Sequence, residues 1–512
     1  MMYQLIISAL VFIPGIMAFA LGKKKLAFWL LLFSACVIRL MMIGLDPFLH
    51  NWDERFHAAV AKNMMQYPFK PMLRMQALLP YDPADWCCNY VWVHKQPLFL
   101  WQMALSLKAF GINTIALRLP SAVMGTFTTF CIYEIARIWS RNEVASYLSA
   151  LLFATSYYSL ELCSGRMSLD HNDIMMGGYV TAGIWAFCKY SEDKRLKWAV
   201  IAGVFVGCAV LVKWLTALLV FGGWGIWLIT NPENRNNFKL YKHFAVAVLS
   251  CVIVFLPWQI YIRLAFPVES AASYAYNYKH IFEDLGHPGS AWTHLNFMTT
   301  AYSGPFFLLM LVLGAVLSLR IKSFNRSLSF AMVSMYVVVY AFFSLIVATK
   351  MPGLTFPVSA IGYIWIGTCL QFISSNTNRL LSKIPTRFLP VSGSIIMFAL
   401  IMHSYRPDKI AEARLYNSPE RISKIHNTEI YRQLDKYVTP DEIILNCKSF
   451  EDTEVRFWQP NNAYHWYPKQ PQVDSLLNLG YKLVAFQDHN DQGLPDYISQ
   501  NPRIRVINLQ LQ

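Results

Sequence analysis

The chain repeats one pattern from its first residues: a long apolar run, a short polar stretch, then another apolar run. Such runs cover about residues 4–21, 26–45, 117–138, 145–163, 173–188, 198–212, 214–230, 244–262, 297–319, 328–348, 355–374 and 388–404. A helix needs about 20 apolar residues to cross the hydrocarbon core of a bilayer, and the pattern therefore predicts about twelve membrane spans.

The polar stretches carry an orientation signal. Lys23 to Lys25, Arg137 with Arg141, Lys194 with Arg195 and Lys197, Arg235 with Lys239, Arg320 with Lys322, and Arg379 with Lys383 occupy alternate loops. Short loops rich in Lys and Arg stay cytoplasmic. The outward set is then residues 46–116, the turns near 164–172 and 213, the loop 263–296, the turn near 350, and everything after 405. The apolar stretch "KQPLFLWQMALSLKAFG", 95–111, is short for a span. Counting it as one would place Arg137 and Arg141 outside, so it reads as an amphipathic helix lying on the outer surface.

After residue 405 the pattern changes. A polar helical stretch around 428–437 is followed by "EIILNC", "DSLLNLG", "KLVAFQD" and "IRVINLQL", in which strand and helix character alternate. The expected fold is an all-α polytopic membrane module over residues 1–404, with outer loops 46–116 and 263–296, and a small extracytoplasmic α/β domain over 405–512. No internal repeat or low-complexity tract stands out.

Composition agrees: 55% hydrophobic, 15% aromatic and only 14% charged residues exclude a soluble globular class. Lys and Arg outnumber Asp and Glu by 44 to 30. That excess sits in the short loops and forms no basic stripe with interleaved aromatics, so nucleic acid is not an expected partner. Most of the ten cysteines lie in apolar runs as small hydrophobes. Cys87, Cys88 and Cys447 fall in polar segments and show no disulfide framework. The first run is followed, not preceded, by its lysines and lacks a cleavage pattern, which reads as a retained helix.

The topology gathers Asp53, Glu54, His94, Lys95, Arg166, Asp170, His171, Asp173, Lys213, His287 and Lys350 toward one membrane surface. Each also has a plain structural reading. Acids at 53 and 54 are favoured by the dipole of a helix that starts there. The turn "SGRMSLDHND", 164–173, suits a polar connector. Lys213 and Lys350 can snorkel to water from helix ends, although a cation at membrane depth costs about 2.5–3.5 kcal/mol unless it finds a partner or water. A lone histidine such as His94 or His287 is more often structural than a ligand, and the two together suit a divalent ion or a phosphate. Acids and cations at an outer leaflet suit a polyprenyl-phosphate sugar, whose phosphate leaves while its acceptor loses a proton. Lysines neutralise the departing phosphate, and a carboxylate takes the proton.

The segments "WDERFHAAVAKNM", "HKQPLFLWQMALSLKAFG", "ALRLPSAVMGTF", "GRMSLD", "VKWLTALL", "LPWQIYI", "GHPGSAWTHL" and "TKMPGLTFPVSAIGYI" follow one another in an order and spacing that resemble the family 39 membrane glycosyltransferases of GT-C fold. That group contains the protein O-mannosyltransferases and the lipid A aminoarabinose transferases, and the resemblance covers nearly the whole chain. It implies Asp53 as catalytic carboxylate with Glu54 beside it, Asp170 as a second acid, and Lys95, Arg166, Lys213 and Lys350 around the donor phosphate. Positions that are metal-associated in the aminoarabinose transferases correspond to His94 and His287. A divalent metal is thereby implied, and two imidazoles suit zinc better than magnesium. The implied donor is a polyprenyl-phosphate sugar, with undecaprenyl as the bacterial carrier, and the acceptor is lipid A, a glycan or a protein hydroxyl. The implied location is a bacterial inner membrane, with active site and C-terminal domain facing the periplasm or exterior.

Departures include Gln96 in place of a proline, an extra first helix, and "YNYKHIFED" in the loop 263–296. A transporter or flippase of lipid-linked sugars is the rival reading, since it also places charge at membrane depth. A glycan-binding scaffold anchored by its membrane part is another.

Overall fold

The computed structural model describes residues 1–167, 170–380, 389–415, 418–487 and 493–512. It divides into two compact units. The first comprises Met1–Ile43, Ser121–Tyr261 and Ala275–Ala411, and the second Gly44–Pro120, Ile262–Tyr274 and Glu412–Gln512.

The first unit is helical. Among the described residues of the chain, seven helices are long and apolar enough to cross a membrane, or eight if one bent pair counts as a single span. Among the described residues the expected twelve runs are helical, but several are interrupted or too short. The run 145–163 breaks at Thr155 and Ser156, where the Ser156 hydroxyl accepts from the Ser159 N–H and caps a new helix, Tyr157–Cys163. The run 297–319 bends by 105° between Thr293–Ala301 and Pro305–Arg320. Ser303 and Gly304 turn there with φ of 60° and 124°, a region that Ser enters at a cost and Gly freely. The run 214–230 opens as a 3-10 turn before Leu219–Thr230. Leu98–Phe110 is a 13-residue helix, as short as its apolar stretch suggested. Where helices pack, glycine lets backbones approach. A Cβ on Gly314 would collide with the backbone of Trp365, the small-residue contact that membrane helices use in place of a hydrophobic drive.

The second unit contains the expected α/β element. Strands β1 (Glu442–Leu445), β2 (Lys482–Phe486) and β3 (Ile504–Ile507) form a parallel sheet in the order β1-β2-β3, with Ile443 opposite Leu483 and Val484 opposite Arg505. Both faces are covered, as parallel sheets require. Ile443, Leu445, Leu483, Ala485 and Ile504 pack on Val473 and Leu476 of the helix Gln470–Asn478. The alternate positions Ile444, Val484, Phe486 and Ile507 pack on Tyr431, Leu434 and Val455. In the same unit the helix Asp53–Met64 lies against Asp452–Trp458. All ten cysteines are free.

Candidate functional site

In the second unit, Asp53 and Glu54 begin the helix Asp53–Met64, where unpaired N–H groups favour acids. Trp52 enters this helix at φ 63°, outside the range most side chains accept. The two neighbouring acids have different surroundings. Asp53 keeps 16% of its side chain exposed and faces Lys95, whose Nζ is 3.7 Å from Oδ2. Glu54 is fully buried. Its Oε1 accepts from Arg118 Nε at 2.6 Å, and Oε2 accepts from Arg118 Nη2 at 3.0 Å and from the His50 N–H at 2.6 Å. Arg118 also donates to the carbonyls of Asp46 and Phe48, both at 2.7 Å. A planar guanidinium matches a carboxylate bidentately, so this pair ties residues 46–54 to the start of the helix that holds Arg118. Glu54, expected beside Asp53 in the chemistry, is geometrically an anchor of the loop.

Asp46, below that anchor, pairs with Arg414 at 2.8 Å, with Arg421 and with His50. Burial pushes its carboxyl up, but the His50 hydrogen bond and the two guanidiniums win and hold it well below the usual carboxylate range. His94 stacks on Trp86 at 5.2 Å and lies 5.6 Å from Trp92.

The other expected residues lie in the first unit. Arg166 donates from Nε to Glu161 Oε2 at 2.7 Å and from Nη2 to the Tyr157 hydroxyl at 2.7 Å. Lys213, at the end of Leu196–Lys213, is paired with the buried Asp173 carboxylate. A Cβ on Gly353 would fall on that carboxylate, so the "MPGL" turn reads as glycine because Asp173 needs the space. His171 shares a hydrogen bond of 2.8 Å with Ser121. Lys350 reaches the carbonyls of Phe343, Ser344 and Val347 at 3.0, 2.9 and 2.5 Å. These carbonyls end the π-helical turn Phe342–Ile346, and a cation there completes orphan acceptors. All three ammonium protons are used, so a phosphate contact needs one bond exchanged. His287 lends its backbone carbonyl to the Lys350 N–H at 3.0 Å. The side chain of Asp170 lies outside the described residues.

Two partners escaped the sequence reading. Arg118 sat inside a quoted motif but had no assigned task, and Glu161 sat inside the run 145–163, where a charge at membrane depth is itself a signal. Among the described residues no three His, Cys, Asp or Glu side chains group as a cation cage.

Residues 94–261 match the sequence model of the family described as dolichyl-phosphate-mannose-protein mannosyltransferase. The undecaprenyl phosphate-alpha-4-amino-4-deoxy-L-arabinose arabinosyl transferase of Shewanella sediminis (strain HAW-EB3) is 26% identical over 279 residues, covering 51% of this chain and 45% of that protein. Its namesake in Pseudomonas aeruginosa (strain UCBPP-PA14) is 27% identical over 212 residues, 39% of this chain and 37% of that one. The chain thus aligns with less than half the length of these relatives. Among solved structures, ArnT from Cupriavidus metallidurans bound to undecaprenyl phosphate superposes with a TM-score of 0.65 at 14% identity, covering 88% of both chains. The Archaeoglobus fulgidus oligosaccharyltransferase in its apo form gives 0.54 at 13% identity, covering 86% of this chain and 64% of that one. In fold the chain is a multi-pass GT-C membrane protein, and in sequence it resembles the family 39 polyprenyl-phosphate-sugar transferases.

Proposed function

We propose that the protein is a glycosyltransferase that takes a sugar from a polyprenyl-phosphate donor, undecaprenyl phosphate in a bacterial inner membrane, and passes it to an extracytoplasmic acceptor: lipid A, another glycan or a protein hydroxyl. The observation that carries the reading is the Asp53–Lys95 pair, a carboxylate and a cation 3.7 Å apart, both partly exposed, at a helix start in a GT-C fold. The relatives named for undecaprenyl-phosphate aminoarabinose transfer support the donor class.

In this reading the acceptor oxygen attacks the anomeric carbon, the bond from that carbon to the phosphate oxygen breaks, and the acceptor proton passes to Asp53. The sugar inverts at the anomeric carbon. Lys95, Arg166 and Lys213 are assigned to the phosphate, whose charge grows as it leaves, with Lys350 as a contact after exchange of one carbonyl. Glu54 holds Asp53 in place through Arg118, and Asp170 remains the second acid proposed from the resemblance. Active site and C-terminal domain face the periplasm.

Lipid mass spectrometry of membranes supplied with a panel of undecaprenyl-phosphate sugars tests it. Release of undecaprenyl phosphate that requires Asp53, with an inverted product, is expected. A folded wild-type protein that releases it from no donor, or a product with retained configuration, would overturn the activity or the mechanism respectively.

A further inference from the structure

Three contacts tie the helix that begins with Asp53 to the segment Phe450–Gln459. The ring of Trp52, one residue before Asp53, lies 5.0 Å from that of Phe450. Arg55, two residues after, places Nη2 3.1 Å from Glu451 Oε1 and 3.5 Å from Glu454 Oε2, all three side chains buried. At the far end of the helix Lys62 Nζ donates to the carbonyls of Arg456 at 2.7 Å and Gln459 at 2.5 Å.

The acceptors are themselves fixed. Glu451 Oε2 accepts from Asn427 Nδ2 at 2.9 Å and from the Tyr431 hydroxyl at 2.6 Å, and Glu454 accepts from the Thr428 hydroxyl at 2.6 Å. Burial pushes the Glu454 carboxyl up, against the pull of Arg55. Two buried acids facing one guanidinium are a poor device for stability, since apolar residues of similar volume often serve as well or better. What such a network specifies is geometry. Arg55 Nη2, held between two carboxylates that are themselves fixed, sets both rotation and depth of the helix start, and a displacement of about 1 Å at a reacting group can cost about a hundredfold in rate.

We propose, on the strength of the transferase reading above, that the segment Phe450–Gln459 is a positioning element of the reaction and that Arg55 is its positioning residue, holding Asp53 at the acceptor proton. The C-terminal α/β element is then a working part of the enzyme rather than an appended domain.

The test uses the full-length protein in detergent, with lipid A, a glycan and a hydroxyl-bearing protein offered as acceptors and undecaprenyl-phosphate sugars as donors. Three properties are read for Arg55→Lys and for Arg55→Met combined with Glu451→Gln: kcat against donor KM, affinity for undecaprenyl phosphate, and melting temperature. The double variant is expected to lose at least tenfold in kcat, with KM and lipid-phosphate affinity within about threefold of wild type, and Arg55→Lys to fall between. A folded double variant with kcat within twofold of wild type overturns the proposal, as does a loss of kcat that only follows the unfolded fraction. If the double variant does not fold, Phe450→Leu with Trp52→Leu loosens the same register without touching buried charge, and the same two outcomes decide. Wild-type protein inactive on every donor and acceptor offered sinks the transferase reading and this proposal together, whereas an active wild type with an unaltered variant sinks this proposal alone.

Discussion

Lys95 and Asp53 stand 3.7 Å apart, with 14% and 16% of their side chains exposed, an ion pair too long for a direct hydrogen bond. An ion pair that lacks hydrogen-bond geometry contributes little to stability, about 1 kcal/mol or less. Its removal is therefore expected to show in catalysis. Asp53→Asn should lower turnover by roughly 10²–10⁴-fold, the range of a lost proton acceptor, with melting temperature unchanged within a few degrees. Lys95→Met should instead weaken undecaprenyl-phosphate binding by about tenfold, equivalent to about 1.4 kcal/mol. Titration of the lipid phosphate onto both variants checks the division; equal effects on binding and turnover from each would contradict it.

Arg118 and Glu54 predict the opposite behaviour. Both are fully buried and bonded twice to one another, so removing one partner strands the other. Arg118→Met is expected to destabilise by about 3–5 kcal/mol, read as a large drop in melting temperature or failure to accumulate. Glu54→Gln, which keeps the shape and one acceptor oxygen but loses the charge and turns a donor toward Arg118 or the His50 N–H, should fall between that variant and wild type. A fully stable Arg118→Met would mean that the loop 44–54 is held by something else.

Gly353 is occupied by the needs of Asp173. An added methyl group would meet that carboxylate, and overpacking of this kind costs about 1–3 kcal/mol. Gly353→Ala is expected to push Asp173 off Lys213, with weaker undecaprenyl-phosphate binding as the readout. Lys213→Met should weaken the same binding by about tenfold. Gly353→Ala binding the lipid as wild type does would separate the turn from the lysine's task.

Much of this architecture was readable in advance. Run length marked the long apolar helices, because a membrane admits little else, but not Pro267–Phe282, a 16-residue helix within the stretch expected as the loop 263–296; the strands at 442–445, 482–486 and 504–507 fall within the segments "EIILNC", "KLVAFQD" and "IRVINLQL". What escaped were pairings across large separations. Glu54 and Asp53 are adjacent and chemically similar in the chain, and only Arg118, far along it, separates their environments. Arg55 likewise meets Glu451 across nearly four hundred positions. Breaks at Thr155 and at Ser303–Gly304 were hidden because hydropathy averages over the one or two residues that turn a helix. The three carbonyls that Lys350 serves were hidden for the same reason, since a sequence shows a charge and not the acceptors folded onto it.

The acid side of the stability profile follows from Asp452. Burial pushes this carboxyl up, but Arg456 at 2.6 Å, His465 at 3.0 Å and Arg74 at 3.2 Å prevail and hold it well below the usual carboxylate range. Its folded pKa is thus lower than its unfolded value near 3.9. The stabilisation is complete above the unfolded value and is lost as pH falls through and below it, because protons then bind the unfolded chain first. Asp46 is depressed by His50, Arg414 and Arg421 and adds to the same slope. Melting temperature is therefore expected to hold from pH 7 to about 5 and to fall steeply below about 4. Asp452→Asn should lower it at pH 7, by the roughly 3–5 kcal/mol of a broken buried pair, and should flatten the acid decline. A variant whose melting temperature falls with pH as steeply as that of wild type would show that this carboxylate does not govern the transition.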